Sequence, residues 1–168
     1  SSVECFDGRQ WRAAPPMRTA WSEPCAAVLG GSIYVMGGRD DGIRALAAVE
    51  CFRDGRWQPA PSMNIARYGA CAATLDGSIY VIGGMRSVDF TAAHSVERFR
   101  DGQWELAPSL KTTRTNACAA VLDGAIYVIG GQGSEGNALS SVECFRDGRW
   151  QAAPPLLEPR SNACAAVL

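Results

Sequence analysis

The sequence predicts an all-β propeller, and two observations carry that prediction. The first is a period. The string "DGSIYVIGG" at 76–84 returns as "DGAIYVIGG" at 123–131 and as "GGSIYVMGG" at 30–38. Around it, Trp11, Trp57, Trp104 and Trp150 step by 46, 47 and 46 residues, and Cys25, Cys71, Cys118 and Cys164 keep a matching step of 46, 47 and 46. The strings "VECF", "VECF", "VERF" and "VECF" at Val3, Val49, Val96 and Val142 follow the same rhythm. Self-similarity at a fixed period of this length marks a repeat architecture. The second observation is that each period holds four short apolar stretches divided by Gly and Asp turns. Four strands in a period of about 40–50 residues select the propeller among all-β folds.

Within one repeat the strands, named a to d, are "ACAATL" (70–75), "SIYVIG" (78–83), "SVERFR" (95–100) and "QWELA" (103–107). Transferred along the period, they give a c–d pair at 3–13 and complete blades at 24–60, 70–107 and 117–153. A lone strand a falls at 163–168. The chain starts inside a repeat and without Met, so it is expected to be a piece of a larger ring, of six blades. Its open strand edges are expected to recruit other strands, by self-association or by the remainder of the ring.

The loops then divide between two faces. The a–b and c–d turns are tight: "DG" at 76–77 and 123–124, and "RDG" at 53–55 and 146–148, a two-residue hairpin signal. The b–c loops (39–48, 85–95, 132–141) and the d–a segments (14–23, 61–69, 108–116, 154–162) are long and vary from repeat to repeat. Long variable loops gathered on one face of a rigid scaffold are where binding residues concentrate.

The Gly-Gly doublet after the "IYV" strand, the "VE" strand beyond it and the Trp a few residues later resemble the kelch repeat, over the whole chain. The resemblance implies a kelch β-propeller. It is similar to the substrate-recognition propellers of kelch adaptors for ubiquitin ligases, which read peptide segments on the long-loop face. In kelch propellers that bind peptides, two positions ending each d–a segment and side chains of the b–c loops line the pocket. By position these are Ser22, Glu23, Tyr68, Thr115, Asn116, Ser161 and Asn162, with Arg39, Asp40, Arg44, Arg86, Asp89, Phe90, His94, Glu135 and Asn137 from the loops. The expected partner is therefore a protein or peptide, and the chain is read as a binding module without cofactor, metal or catalytic residues. The family also includes cytoskeletal propellers, copper oxidases and sugar-modifying enzymes. One histidine, His94, cannot build a His-rich copper site. A mutarotase-like site would need Glu23, Asp40, Asp41, Asp89 and Glu135 to converge.

Composition narrows the classes further. Sixteen Lys+Arg against seventeen Asp+Glu leave a net charge of -1, with no basic run to hold nucleic acid. No apolar run approaches the length of a membrane span. The Gly-Gly doublets are not phosphate cradles, because no helical pattern follows them. They belong where a strand ends and the backbone packs closely. The seven cysteines occupy two repeat positions, which suits free thiols acting as small hydrophobes and a reducing, cytoplasmic setting.

A last pattern concerns charge. Glu50, Glu97 and Glu143 lie one residue into strand c, and Arg67, Arg114 and Arg160 lie just before strand a. Both positions fall at the long-loop end of a blade. Each Arg is expected to anchor its d–a segment through a Glu of its own or the adjacent blade, or through backbone carbonyls, because a guanidinium forks onto such acceptors. Trp21 stands where the first repeat should carry the Arg, leaving one Glu without its partner.

Overall fold

The computed structural model describes residues 2–41, 44–86 and 92–167. Among them are fourteen strands and no helix. A hairpin of β1 (Val3–Phe6) and β2 (Trp11–Ala14) comes first. The first blade is β3 (Cys25–Leu29), β4 (Ser32–Met36), β5 (Val49–Arg53) and β6 (Arg56–Ala60). The second is β7 (Cys71–Leu75), β8 (Ser78–Ile82), β9 (Val96–Arg100) and β10 (Gln103–Ala107). The third is β11 (Cys118–Leu122), β12 (Ala125–Ile129), β13 (Val142–Arg146) and β14 (Arg149–Ala153). Each blade is an antiparallel sheet with its strands in chain order. First strands meet first strands, β3 on β7 and β7 on β11, so they line the inner wall. The blades form an arc, and the ring is not closed.

The turns explain the tight face. Asp76 and Gly77 both take positive φ, 47° and 68°, and Asp123 with Gly124 and Asp54 with Gly55 do the same. Two consecutive left-handed residues make the hairpin turn whose twist matches that of the strands, and Asp and Gly tolerate it best.

Packing between blades follows from strand alternation. On β8, Ile79 and Val81 face the first blade beside Tyr34, Met36 and Phe99. Tyr80 and Ile82 face the third, beside Ile126, Val128 and Phe145. All five residues of β8 are buried, since both its faces are covered. At the same register Ile33 is 42% exposed, because only the β1–β2 hairpin precedes its blade. Each Tyr leans on the Phe of the following blade, with ring centroids 5.7 Å apart for Tyr34–Phe99 and 5.5 Å for Tyr80–Phe145. That Phe in turn meets its cross-strand Trp, at 5.0 Å for both Phe99–Trp104 and Phe145–Trp150. The indole N–H of Trp104 and of Trp150 donates back to the carbonyl of Pro61 and of Pro108, in the segment leaving the previous blade. The aromatics thus close one blade on the next.

Two expectations need correction. Residues 163–167, read as a lone strand a, make no ladder. An inner strand exists by pairing with a second strand, and none follows among the described residues. The cysteines do not all pack as core either. All seven are free thiols, but Cys5 and Cys164 are exposed and Cys144 is half-buried, because no blade among the described residues covers them on the outer side. Cys25, Cys51, Cys71 and Cys118 are buried. Burial pushes the Cys25 thiol up to about 12 and raises Cys71 and Cys118 as well.

A thiolate is what reacts with an alkylating agent. In native protein at pH 8, Cys5 and Cys164 should be alkylated first, and Cys25 and Cys71 slower by on the order of 100-fold or more. After unfolding, all seven should react. Peptide mass spectrometry after timed labelling checks this order, and equal rates would contradict the packing.

Candidate functional site

The long-loop face is built on the Gly-Gly doublets. Gly83 sits at φ +66°, and a Cβ there would run into the carbonyl oxygen of Arg114. Its neighbour Gly84 donates its N–H to that same carbonyl at 2.8 Å. Gly38 and Gly131 bind the carbonyls of Arg67 and Arg160 in the same way, at 2.9 Å each. Glycine is required because the d–a segment docks directly against the end of the second strand.

The arginines continue from there. The Arg67 carbonyl belongs to the first blade's Gly38, while its side chain reaches the second blade. Its Nη1 donates to Gly83 O at 2.7 Å and Ser95 O at 3.0 Å, and its Nη2 meets Glu97 Oε1 at 3.2 Å. Both side chains are 0% exposed. Glu97 also accepts the backbone N–H groups of Asn64 and Ile65, at 2.7 and 3.0 Å. Arg114 repeats the pattern one blade on, with Gly130 O and Ser141 O at 2.8 Å each and Glu143 Oε1 at 3.3 Å. Glu143 accepts Lys111 N at 2.8 Å and Thr112 N at 3.1 Å. Burial lowers the pKa of Arg67 from its ordinary value, and Glu97 opposes that shift. The carboxylate in each case belongs to the following blade, one of the two arrangements the sequence left open.

Arg160 departs from this pattern. It is exposed, and its side chain has no carboxylate or carbonyl partner among the described residues. The reason is direct: the Glu that receives each guanidinium comes from the next blade, and none follows the third among the described residues.

Above these anchors, the two residues that end each d–a segment have different tasks. Ser22, Tyr68 and Thr115 form isolated bridges with Arg39, Met85 and Gln132, the residues just after the doublets. Arg39, Met85 and Gln132 bridge in turn to Ala45, Ala92 and Ala138 in the b–c loops. The next residues, Glu23, Gly69, Asn116 and Asn162, all take positive φ, between 53° and 61°. Gly69 N–H donates to Glu23 O at 3.0 Å, Asn116 N–H to Gly69 O at 2.7 Å, and Asn162 N–H to Asn116 O at 2.9 Å. One hydrogen bond per blade therefore runs around the inner wall. Glu23 adopts a conformation that costs a non-glycine residue roughly 1 kcal/mol.

Here lies a cavity of about 250 Å³, lined by Glu23, Gly69, Asn116 and Asn162 with Pro24, Ala70, Ala117 and Ala163. At its rim, Glu23 Oε1 meets Arg39 Nη2 at 2.6 Å, and the Arg39 guanidinium carbon lies 5.6 Å from the centre of the Tyr68 ring. The Tyr68 hydroxyl bonds Met85 Sδ at 2.8 Å. Asn116 Nδ2 reaches Gln132 Oε1 at 3.5 Å. Thr115 is buried, its hydroxyl on Gly69 O at 3.3 Å.

The remaining candidates scatter. Ser22 is exposed and Ser161 half-buried, beside the cavity's lining but not in it. Asp40 accepts Arg44 N–H at 2.9 Å, so those two shape their own loop. Arg86, His94, Glu135 and Asn137 are exposed and lie outside the cavity. The His94 carbonyl holds Leu110 N–H at 2.9 Å, at the outer end of its loop. Asp89 and Phe90 lie outside the described residues. Met85 and Gln132 are additions to the candidate set. The period alone reaches them, since they stand 46 and 93 residues after Arg39.

Three matches to a family model described as "Kelch motif" cover residues 20–64, 66–111 and 113–157. The arc of four-stranded blades is that of a β-propeller, and the chain belongs to the kelch family. A solved structure titled "Structure of YjhT" superposes with a TM-score of 0.72 at 14% identity, covering 86% of this chain and 54% of that one. The chain thus spans about half the length of that structure, and the likeness is one of fold. A comparison with curated proteins found no match.

The anchors make a stability prediction. Arg114→Ala leaves Glu143 buried without its cation and should cost about 3 kcal/mol. Arg160→Ala, at the unpaired position, should cost under about 0.5 kcal/mol. Urea denaturation of both variants checks the contrast, and equal losses would contradict it.

Proposed function

We propose that this chain is a protein-interaction module that seats a peptide or protein segment on the long-loop face, over the axial cavity. The observation that carries the reading is the pairing of a rigid inner wall with a rim of different side chains. The wall is fixed by one backbone bond per blade. The rim offers an ion pair (Glu23–Arg39) and two amides (Asn116 and Gln132), with the buried Tyr68 ring supporting Arg39 from beneath. Amides facing a groove suit the backbone groups of an extended segment, and a preorganised wall lowers the ordering cost of binding. A sugar-modifying site is less well supported. Of the acidic groups it would gather, Glu23 is the one among the described residues that lines the cavity, and its carboxylate is engaged by Arg39.

Within this reading, the finer assignment is a substrate-recognition propeller of a ubiquitin-ligase adaptor working in the cytoplasm. A cytoskeletal partner would use the same surface. The open blade edges are proposed to join further strands, from a second copy or from the rest of a ring.

Selection from a random peptide library should return ligands whose affinity falls about tenfold or more, roughly 1.4 kcal/mol, in Arg39→Ala and in Asn162→Ala. Ligands indifferent to both changes, or turnover in a panel of sugars, would overturn the assignment.

A further inference from the structure

We infer that the first blade holds a binding site for a guanidinium group, at the place where the other blades seat their own arginine. The site shares no lining residue with the axial cavity. In the second and third blades the strand-c carboxylate accepts two backbone N–H groups and one guanidinium. The guanidinium also binds the carbonyl of Ser95 or of Ser141. By the period, the matching residues of the first blade are Arg18, Thr19, Trp21, Ala48 and Glu50. Glu50 is 4% exposed, yet among the described residues it accepts a single bond, from Arg18 N–H at 2.9 Å. A cavity of about 250 Å³ opens beside it, lined by Arg18, Thr19, Trp21, Ala48 and Glu50 together with residues of β5, β6 and the segment after β6.

Trp21 does not replace the missing bonds, because its buried indole N–H has no partner among the described residues. A buried carboxylate carries a large desolvation cost unless a cation and further hydrogen bonds satisfy it. The acceptors for a planar cation are in place. The Ala48 carbonyl takes Gly37 N–H at 3.0 Å, as Ser95 O takes Gly83 N–H at 3.1 Å while also receiving Arg67. A second lone pair on Ala48 O is therefore available. The cavity is lined by the Trp21 indole, and an indole ring attracts a weakly hydrated guanidinium more readily than a compact ammonium. The ligand class is thus an arginine side chain of a partner or a small guanidinium compound.

Two-dimensional NMR of the tryptophan indole N–H signals tests this, since Trp21 is one of five tryptophans. The probes are methylguanidinium and a Gly-Arg-Gly peptide blocked at both ends, with the citrulline peptide as neutral isostere. The Trp21 signal should shift saturably with a guanidinium probe and not with citrulline. Stronger response to the peptide assigns an arginine of a partner chain, and stronger response to methylguanidinium a small compound. The shift should vanish in Glu50→Gln, with the Trp57 and Trp104 signals reporting that the fold is intact. Trp21→Arg supplies the cation from within, so it should raise the melting midpoint and remove any stabilisation by the probes. No saturable shift in the wild-type protein, or an equal shift in Glu50→Gln, overturns the inference.

Discussion

Each complete junction between blades turns on one buried cation. Arg67 and Arg114 give their carbonyls to the doublet of one blade and their guanidinium groups to the next. Replacing a buried ion pair by apolar groups often costs nothing, so net stabilisation is a weak reason for such a pair to exist. Its effect is geometric. One side chain fixes where the d–a segment crosses between blades, and the same carboxylate holds two further N–H groups of that segment. The left-handed residues that line the axis follow two positions later. A shift of the anchor would therefore move the rim of the candidate site. A purely apolar contact, being non-directional, would not set the crossing so closely.

Much of this was legible in the chain itself. The period, the Asp-Gly turns and the Gly-Gly doublets mark the strands because each reports a local backbone demand. The repeated Glu and Arg showed that opposite charges end up at one end of a blade. Which blade supplies the carboxylate was not legible. Register along a strand is a local property, whereas the direction of contact between sheets is set by how the faces stack. Arg160 and Cys164 show the same limit. Their sequence positions match those of Arg114 and Cys118, yet they are exposed where no following blade covers them. The cavity lining was partly readable. Glu23, Gly69, Asn116 and Asn162 all hold the same repeat position, though Gly69, with no side chain, offered no chemistry of its own there. The Glu23–Arg39 pair joins residues from two loops, which the bridge between Ser22 and Arg39 brings together.

The two cavities then divide the labour of the face. The axial one has a wall of backbone bonds and a rim that differs in every repeat, which suits selective contact with a partner. The one beside Glu50 exists because a single repeat departs from the scaffold rule. In a repeat protein, the conserved pattern of the other units supplies an internal reference, so Trp21 can be judged against Arg67 and Arg114 within one chain.

The central claim is that the following blade's glutamate holds the d–a segment in place wherever such a blade follows. Amide hydrogen exchange tests it most directly. Lys111 and Thr112, whose N–H groups bond Glu143, should be protected, while their counterparts Leu157 and Glu158 should exchange at nearly free rates. In Glu143→Gln, protection at 111–112 should fall sharply while that of β8 stays. Unchanged protection at those two amides in the variant, or equal protection at 157–158, would contradict the account.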